Sequence, residues 1–238
     1  VLNFLNFSVD VRNLCVFLAP IFAANTAIAT YLLVVEVTRK YTAGLLSAAL
    51  VAIVPSYISR SVGGSYDNEG VAIFALVFTF YTWCRAVNTG SILWGVACAA
   101  AYGYMVAAWG GYVFIINVIP IYVVIMVAAG RYSSRLYVAY SVFYVLGSLL
   151  AMQVPFVGFN VVQQAESAAS HGVFALMQVY ALALYVRQRV GQEQLGRLVY
   201  GLAIAVIAAF AALLIGLQLA GKTQWTGRSL SLLDPTYA

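Results

Sequence analysis

Two carboxylates, Asp67 and Glu69, stand one residue apart in the stretch Ser59-Arg60-Ser61-Val62-Gly63-Gly64-Ser65-Tyr66-Asp67-Asn68-Glu69-Gly70. They are two of only seven acidic residues in the chain, and the stretch is a polar break between two long apolar runs. Carboxylates at i and i+2 of a loop-to-helix junction can reach one divalent cation from the same side. Hard cations such as Mg²⁺ and Mn²⁺ take oxygen ligands, commonly one or two carboxylates completed by water and substrate oxygens. A second reading of the same residues stays open and is compatible with the first. Asp, Asn and Glu cap the start of a helix and oppose its N-terminal partial charge. Arg60, seven positions before Asp67, also has two readings. It can bind a phosphate or pyrophosphate by charge-assisted hydrogen bonds, or it can serve as a partner for Asp67 or an interfacial anchor.

Other polar residues carry weaker signals. Trp109-Gly110-Gly111-Tyr112 marks a helix break. Paired glycines let backbone approach a ligand, and the indole can pack on a lipid tail or sugar face; a tight turn with an interfacial Trp is the plainer reading. Glu166 and the single histidine, His171, are read as a solvated acid and a hydrogen-bonding surface residue of a loop spanning 155–171. Asn6-Phe7-Ser8 has the form of a glycosylation acceptor, close to the first apolar run. Cys15, Cys84 and Cys98 all lie in apolar runs without metal-ligand spacing and read as small buried hydrophobes.

The elements that must position these groups are set by composition. The chain has 238 residues, 64% hydrophobic and 8% charged, against about 25% charged in soluble domains. That excludes a soluble fold and makes the chain a polytopic membrane protein in the lipid bilayer. The apolar runs are continuous, which favours an all-α transmembrane bundle over a β-barrel. Segments 13–35, 43–58, 69–86, 91–108, 111–129, 136–154, 172–186 and 198–220 give an expectation of about eight spans. Prolines 20, 55, 120 and 155 fall within or beside them, where neighbouring groups must satisfy freed carbonyls. Basic residues are scattered, so no nucleic-acid binding is expected.

Lys and Arg alternate unequally between the two sets of loops. Arg39, Lys40, Arg85, Arg131, Arg135, Arg187, Arg189 and Arg197 fall in one set, and Arg12, Arg60, Lys222 and Arg228 in the other. The positive-inside rule places the first set in the cytoplasm. The Asp67 loop then faces the lumen or cell exterior, with Trp109 and the 155–171 loop.

The full Ser59–Gly70 stretch resembles the second acidic motif of the catalytic-subunit family of eukaryotic oligosaccharyltransferases. Tyr104-Met105 through Trp109-Gly110-Gly111-Tyr112-Val113-Phe114-Ile115-Ile116-Asn117 agrees as well, as do Met152-Gln153-Val154-Pro155-Phe156-Val157-Gly158-Phe159, Trp225-Thr226-Gly227-Arg228 and Leu232-Leu233-Asp234-Pro235-Thr236-Tyr237-Ala238, in the family's order and spacing. The resemblance implies a metal-dependent, inverting glycosyltransferase. It would move an oligosaccharide from dolichyl pyrophosphate to the Asn side chain of Asn-X-Ser/Thr in translocated polypeptides. It implies Asp67 and Glu69 as catalytic and metal-binding residues with Mn²⁺ or Mg²⁺, and Arg60 and Trp109 as substrate-binding residues. It further implies a multi-pass protein of the endoplasmic reticulum membrane with a lumenal Asp67 loop. The implied partners are the other oligosaccharyltransferase subunits, the translocon and the ribosome.

The family's first acidic motif would precede Val1, and its glutamate loop and Trp-rich lumenal domain would follow Ala238. Residues 1–238 are therefore expected to be a partial transmembrane domain, inactive alone. Around Glu166 the family has a Ser-Glu-His run where this chain has Gln164-Ala165-Glu166-Ser167. Two other classes compete with the enzyme: a transporter or channel with a cation-binding acidic loop, and a non-catalytic scaffold subunit. Transporters place their charges near the bilayer midplane, so the depth of the acidic pair discriminates.

Overall fold

A computed structural model describes residues 11–64 and 67–187, with a few isolated positions between 201 and 212. The described residues are helical and contain no strand. The chain forms two compact units that divide at residue 112.

The first part holds α1 (Val11–Thr38), α2 (Tyr41–Ile53), α3 (Pro55–Ser61), α4 (Asn68–Thr89) and α5 (Ile92–Ala108). The expected 43–58 span is corrected to two helices meeting at 61°. Pro55 explains the break. The residue before a proline is pushed out of helical backbone, and Val54 is extended (φ −67°, ψ 125°). Proline at the first position of α3 costs no hydrogen bond, because that N–H has no helical partner. At the other end of α4, Gly90 takes the left-handed conformation (φ 70°) and donates to the Ala86 carbonyl at 2.8 Å.

Helix α4 packs against both α1 and α5, and α1 also packs against α2. Its buried face is mostly small: Gly70, Ala72, Ala75, Thr79 and Ala86, facing Gly95, Cys98, Ala99 and Ala101 of α5. In lipid, small residues permit the close backbone approach that substitutes for a hydrophobic driving force. The buried threonine hydroxyls are satisfied within their own helices. Thr26, Thr30 and Thr79 each donate to the carbonyl four residues back at 2.7–2.8 Å. Outward faces are apolar: Phe17, Ile21, Ile28, Leu45, Leu50 and Leu93 are exposed. An exposed apolar surface of this kind is the signature of a lipid-facing one.

The second part holds most of α6 (Tyr112–Ala128), then α7 (Ser134–Met152), α8 (Asn160–Gln163), a 3₁₀ turn (Ala165–Ser167) and α9 (Ala168–Arg187). Helices α7 and α9 are joined by polar side chains. Tyr137 Oη donates to Gln178 at 2.6 Å, Tyr140 Oη to the Ser170 carbonyl at 3.0 Å, and Tyr144 Oη lies 2.6 Å from His171 Nδ1. The 155–171 loop is thus corrected. Helix α9 begins before His171, which sits on a helix–helix interface, and Glu166 is buried at 7% exposure.

Four described helices are long and apolar enough to cross a membrane: α1, α4, α7 and α9. The bent α2–α3 pair makes a fifth candidate, and α5 and α6 are shorter apolar helices. Seven of the eight expected segments therefore coincide with helices or a broken pair, but fewer qualify by length than the eight anticipated. The eighth, 198–220, lies outside the described residues.

Candidate functional site

The acidic loop is held by a vacancy in α1. Pro20 has no N–H, so the Val16 carbonyl four residues earlier lacks its helical donor. Gly64, on the loop leading to Asp67, donates its N–H to that carbonyl at 3.3 Å. Gly64 does this at φ 89°, a left-handed conformation that glycine adopts without steric cost. A second tie fixes α3. The Tyr57 hydroxyl lies buried, 2.7 Å from Thr26 Oγ1 of α1. The short helix carrying Arg60 and the loop carrying Asp67 are therefore both anchored on α1.

Three of the residues singled out by sequence converge there. Asp67 is the N-cap of α4, its Oδ1 accepting from the Glu69 N–H at 3.2 Å. Arg60 Nη1 lies 3.1 Å from Asp67 Oδ2 and 3.0 Å from Glu69 Oε2. One guanidinium nitrogen thus bridges both carboxylates. The helix-cap reading and the Arg60–Asp67 partnership both appear in the geometry, and the two carboxylates aim one oxygen each at a common point. All three side chains are partly exposed: Arg60 51%, Asp67 31% and Glu69 33%.

Asn68 ties this junction to the next break. Its Nδ2 donates to the Ala108 carbonyl at 3.0 Å, at the end of α5. Trp109 follows as the C-cap of α5, its N–H donating to the Met105 carbonyl at 3.0 Å. A Cβ on Gly111 would overlap the Trp109 indole. The glycine is thus required by the indole lying across the turn, which is the plainer reading of that motif. The turn adjoins the acidic junction through Ala108, while the Trp109 side chain is partly exposed. Beside the junction lies a cavity of about 370 Å³, lined by Leu18, Ala19, Phe22, Asp67, Asn68, Val71, Tyr104, Ala107 and Ala108. Its walls are apolar and its polar edge is Asp67 and Asn68, a shape for a ligand with a greasy part and a charged one.

At the far end of α1 and α4 is a group that sequence reading missed. The expected first span, 13–35, stops short of Glu36, but α1 runs on to Thr38 and buries Glu36 at 5% exposure. Arg85 Nη1 lies 2.8 Å from Glu36 Oε2, Arg39 Nη2 lies 3.0 Å from Oε1, and Asn88 Nδ2 donates to Oε1 at 2.7 Å. The Arg85 guanidinium also sits over the Trp94 ring at 5.1 Å. The spacings Glu36–Arg39 and Arg85–Asn88, both i,i+3, are same-face pairs and were the available signal. Arg39 and Arg85 thus gather at the end of α4 opposite Asp67.

Among the described residues no group of three or more His, Cys, Asp or Glu converges as a metal site. The convergent pair at Asp67 and Glu69 is the densest acidic point of the α4 start.

A family model described as "Oligosaccharyl transferase STT3, N-terminal" matches residues 1–238, the whole chain. The chain belongs to the STT3 family. Its similarity to curated STT3 proteins is high and continuous. It is 50% identical over 238 residues to the dolichyl-diphosphooligosaccharide–protein glycosyltransferase subunit STT3 of Dictyostelium discoideum, covering all of this chain and 33% of that protein. It is 52% identical over 241 residues to subunit STT3A of Oryza sativa subsp. japonica, covering all of this chain and 30% of that protein. Subunit STT3B of the same plant is 51% identical over 239 residues, with 33% of its length covered. The chain therefore spans about a third of the STT3 proteins it matches. The sequence motifs that suggested this family lie along its whole length, although Trp225–Arg228 and Leu232–Ala238 fall outside the described residues.

Proposed function

We propose that the protein carrying this chain is the catalytic subunit of an oligosaccharyltransferase of the endoplasmic reticulum membrane. It transfers an oligosaccharide from dolichyl pyrophosphate to the Asn amide of Asn-X-Ser/Thr, with inversion, at a lumenal site, together with further subunits of the complex. The observation that carries this reading is the convergence of Asp67 and Glu69 on one point, in the loop whose motif is the family's.

The donor set fits a hard divalent cation. Two carboxylates offer oxygens in one direction and remain open to solvent, and such cations commonly take one or two carboxylates with water and substrate oxygens. Asp67 and Glu69 would hold Mn²⁺ or Mg²⁺, with the remaining positions filled by water, substrate and acidic residues elsewhere in the full protein. Bound there, the cation supplies positive charge to the leaving pyrophosphate. The chain's own residues do the rest. Asp67 and Glu69 orient the acceptor amide through their oxygens. Arg60 offers a planar set of donors matched to phosphate oxygens. The apolar wall of Leu18, Phe22 and Val71 beside Asp67 suits an isoprenoid tail whose charged head reaches the acidic edge. In the transfer the amide nitrogen bonds to the anomeric carbon as the bond from that carbon to the phosphate oxygen breaks. The electron pair leaves with the pyrophosphate, and one amide proton passes to a carboxylate or to water.

The transporter reading gains nothing from the geometry, because both carboxylates stand at the first turn of α4. The test is transfer of a lipid-linked oligosaccharide to an Asn-X-Thr peptide by the full-length protein in its native complex. Chelation is expected to abolish transfer and added Mn²⁺ to restore it. Absence of transfer with donor and metal supplied would overturn the reading.

A further inference from the structure

The position toward which Asp67 and Glu69 aim is already filled by a cation of the chain. Arg60 Nη1 contacts Asp67 Oδ2 and Glu69 Oε2 together, at 3.1 and 3.0 Å. The other Asp67 oxygen, Oδ1, is engaged in capping the Glu69 N–H. The Asp67 oxygen left over from capping is therefore the one that Arg60 holds, together with Glu69 Oε2. Mg²⁺ bonds carboxylate oxygens at about 2.0–2.1 Å, well inside the separation of the guanidinium nitrogen from the same oxygens. The nitrogen and the metal cannot occupy the angle between the same two oxygens, and their like charges repel.

We propose that Arg60 occupies the shared position between Asp67 and Glu69 until a divalent cation displaces it, and that the displaced guanidinium then becomes the receptor for a phosphate group of the donor. This inference rests on the metal-binding reading above and deepens it by making Arg60 a positioning residue that couples two ligands.

The anchoring around Arg60 allows such an exchange. Its backbone is fixed, since α3 is tied to α1 through Tyr57 and Thr26. Its side chain is half exposed, and the two carboxylates are the partners that hold its head group. The exchange is thus a side-chain swing on a fixed helix. Released from two carboxylates, the guanidinium offers its donors to phosphate oxygens in charge-assisted pairs. Coupling of this kind is reciprocal: a phosphate that engages Arg60 strengthens metal binding by the same factor that metal strengthens phosphate binding. The exchange also keeps the acidic pair neutralised while no metal is bound, so the α4 start never carries two unscreened carboxylates side by side.

The test is a Mn²⁺ titration followed by electron paramagnetic resonance, using the full-length protein in its native assembly. Removing the competitor in Arg60→Gln is expected to tighten Mn²⁺ binding about tenfold, within the usual range of coupling between two sites. Unchanged or weaker binding in an assembled Arg60→Gln protein would overturn the exchange, because removing a cation that competes for the same two oxygens must tighten Mn²⁺ binding. A second measurement needs no variant. Labelling of Arg60 by phenylglyoxal in the wild type, read by peptide mass spectrometry, is expected to rise several-fold when Mn²⁺ saturates the site. Labelling that stays constant or falls would contradict the exchange. Asp67→Ala separates the two levels: if it binds Mn²⁺ as the wild type does, the metal site itself is wrongly placed, and the exchange falls with it.

Discussion

Replacing Asp67 by Ala is expected to reduce oligosaccharide transfer by at least about 100-fold while leaving the protein folded in its complex. In the structure Asp67 caps α4 and shares the Arg60 guanidinium with Glu69; under the proposed function it also holds the divalent cation at the reacting centre. Loss of a cap costs about 1 kcal/mol, small against the roughly 5–15 kcal/mol that separates folded from unfolded states. Loss of electrostatic stabilisation at the reacting centre costs 10²–10³ in rate when a single donor is removed (on the order of 3–4 kcal/mol). The two contributions separate in Asp67→Ser. Serine caps as well as aspartate but brings no charge, so the serine variant should regain the lost thermal stability and remain inactive. Recovery of transfer in Asp67→Ser would reduce Asp67 to a helix cap.

The second large effect is expected at the opposite end of the bundle. Glu36 is buried and contacts Arg39, Arg85 and Asn88. Breaking a buried ion pair by removing one partner costs about 3–5 kcal/mol, because the other charge is left without compensation. Arg85 is 39% exposed by side chain, so water offsets part of this, and a loss of about 2–3 kcal/mol is expected for Glu36→Ala. The measurement is the thermal midpoint and yield of assembled complex. Glu36→Gln should lose less, since an amide oxygen can still accept from Asn88. An unchanged midpoint in Glu36→Ala would show that the network does not join α1 to α4. Transfer per assembled molecule should be nearly unaffected, because Glu36 lies at the far end of α4 from Asp67.

These two sites differ in how far they could be read from sequence. The Asp67 junction was legible because a polar break in a greasy chain has few roles open to it, and a cap and an arginine partner use the same local spacing. Its geometry was also local: Arg60, Asp67 and Glu69 lie within ten residues of one another, so no long-range packing had to be foreseen. The ties that hold the loop were not legible. Pro20 reads as a kink, and only the fold shows that the carbonyl it frees is taken by Gly64, more than forty residues later. Glu36 was missed for a similar reason. Hydropathy ends a span where charge begins, whereas α1 continues to Thr38 because Arg85 and Asn88 of another helix satisfy the carboxylate there. The same bias placed His171 and Glu166 in a loop, when tyrosines of α7 and the start of α9 enclose that stretch. Break points were readable where proline dictates them, as at Val54–Pro55. Span counts were not, because α5 and α6 are apolar but short and the bent α2–α3 pair admits two readings.

The central claim is that Asp67 binds a divalent cation that the reaction requires, and a change of ligand softness tests it most directly. Hard Mg²⁺ and Mn²⁺ prefer carboxylate, whereas thiolate selects soft ions. Transfer by Asp67→Cys should be lost with Mg²⁺ or Mn²⁺ and restored by Cd²⁺, while the wild type, which retains Cys15, Cys84 and Cys98, serves as the control for Cd²⁺ acting elsewhere. Rescue confined to the cysteine variant would place the ion on residue 67. Full activity of Asp67→Cys in Mg²⁺, with no response to Cd²⁺, would contradict the account.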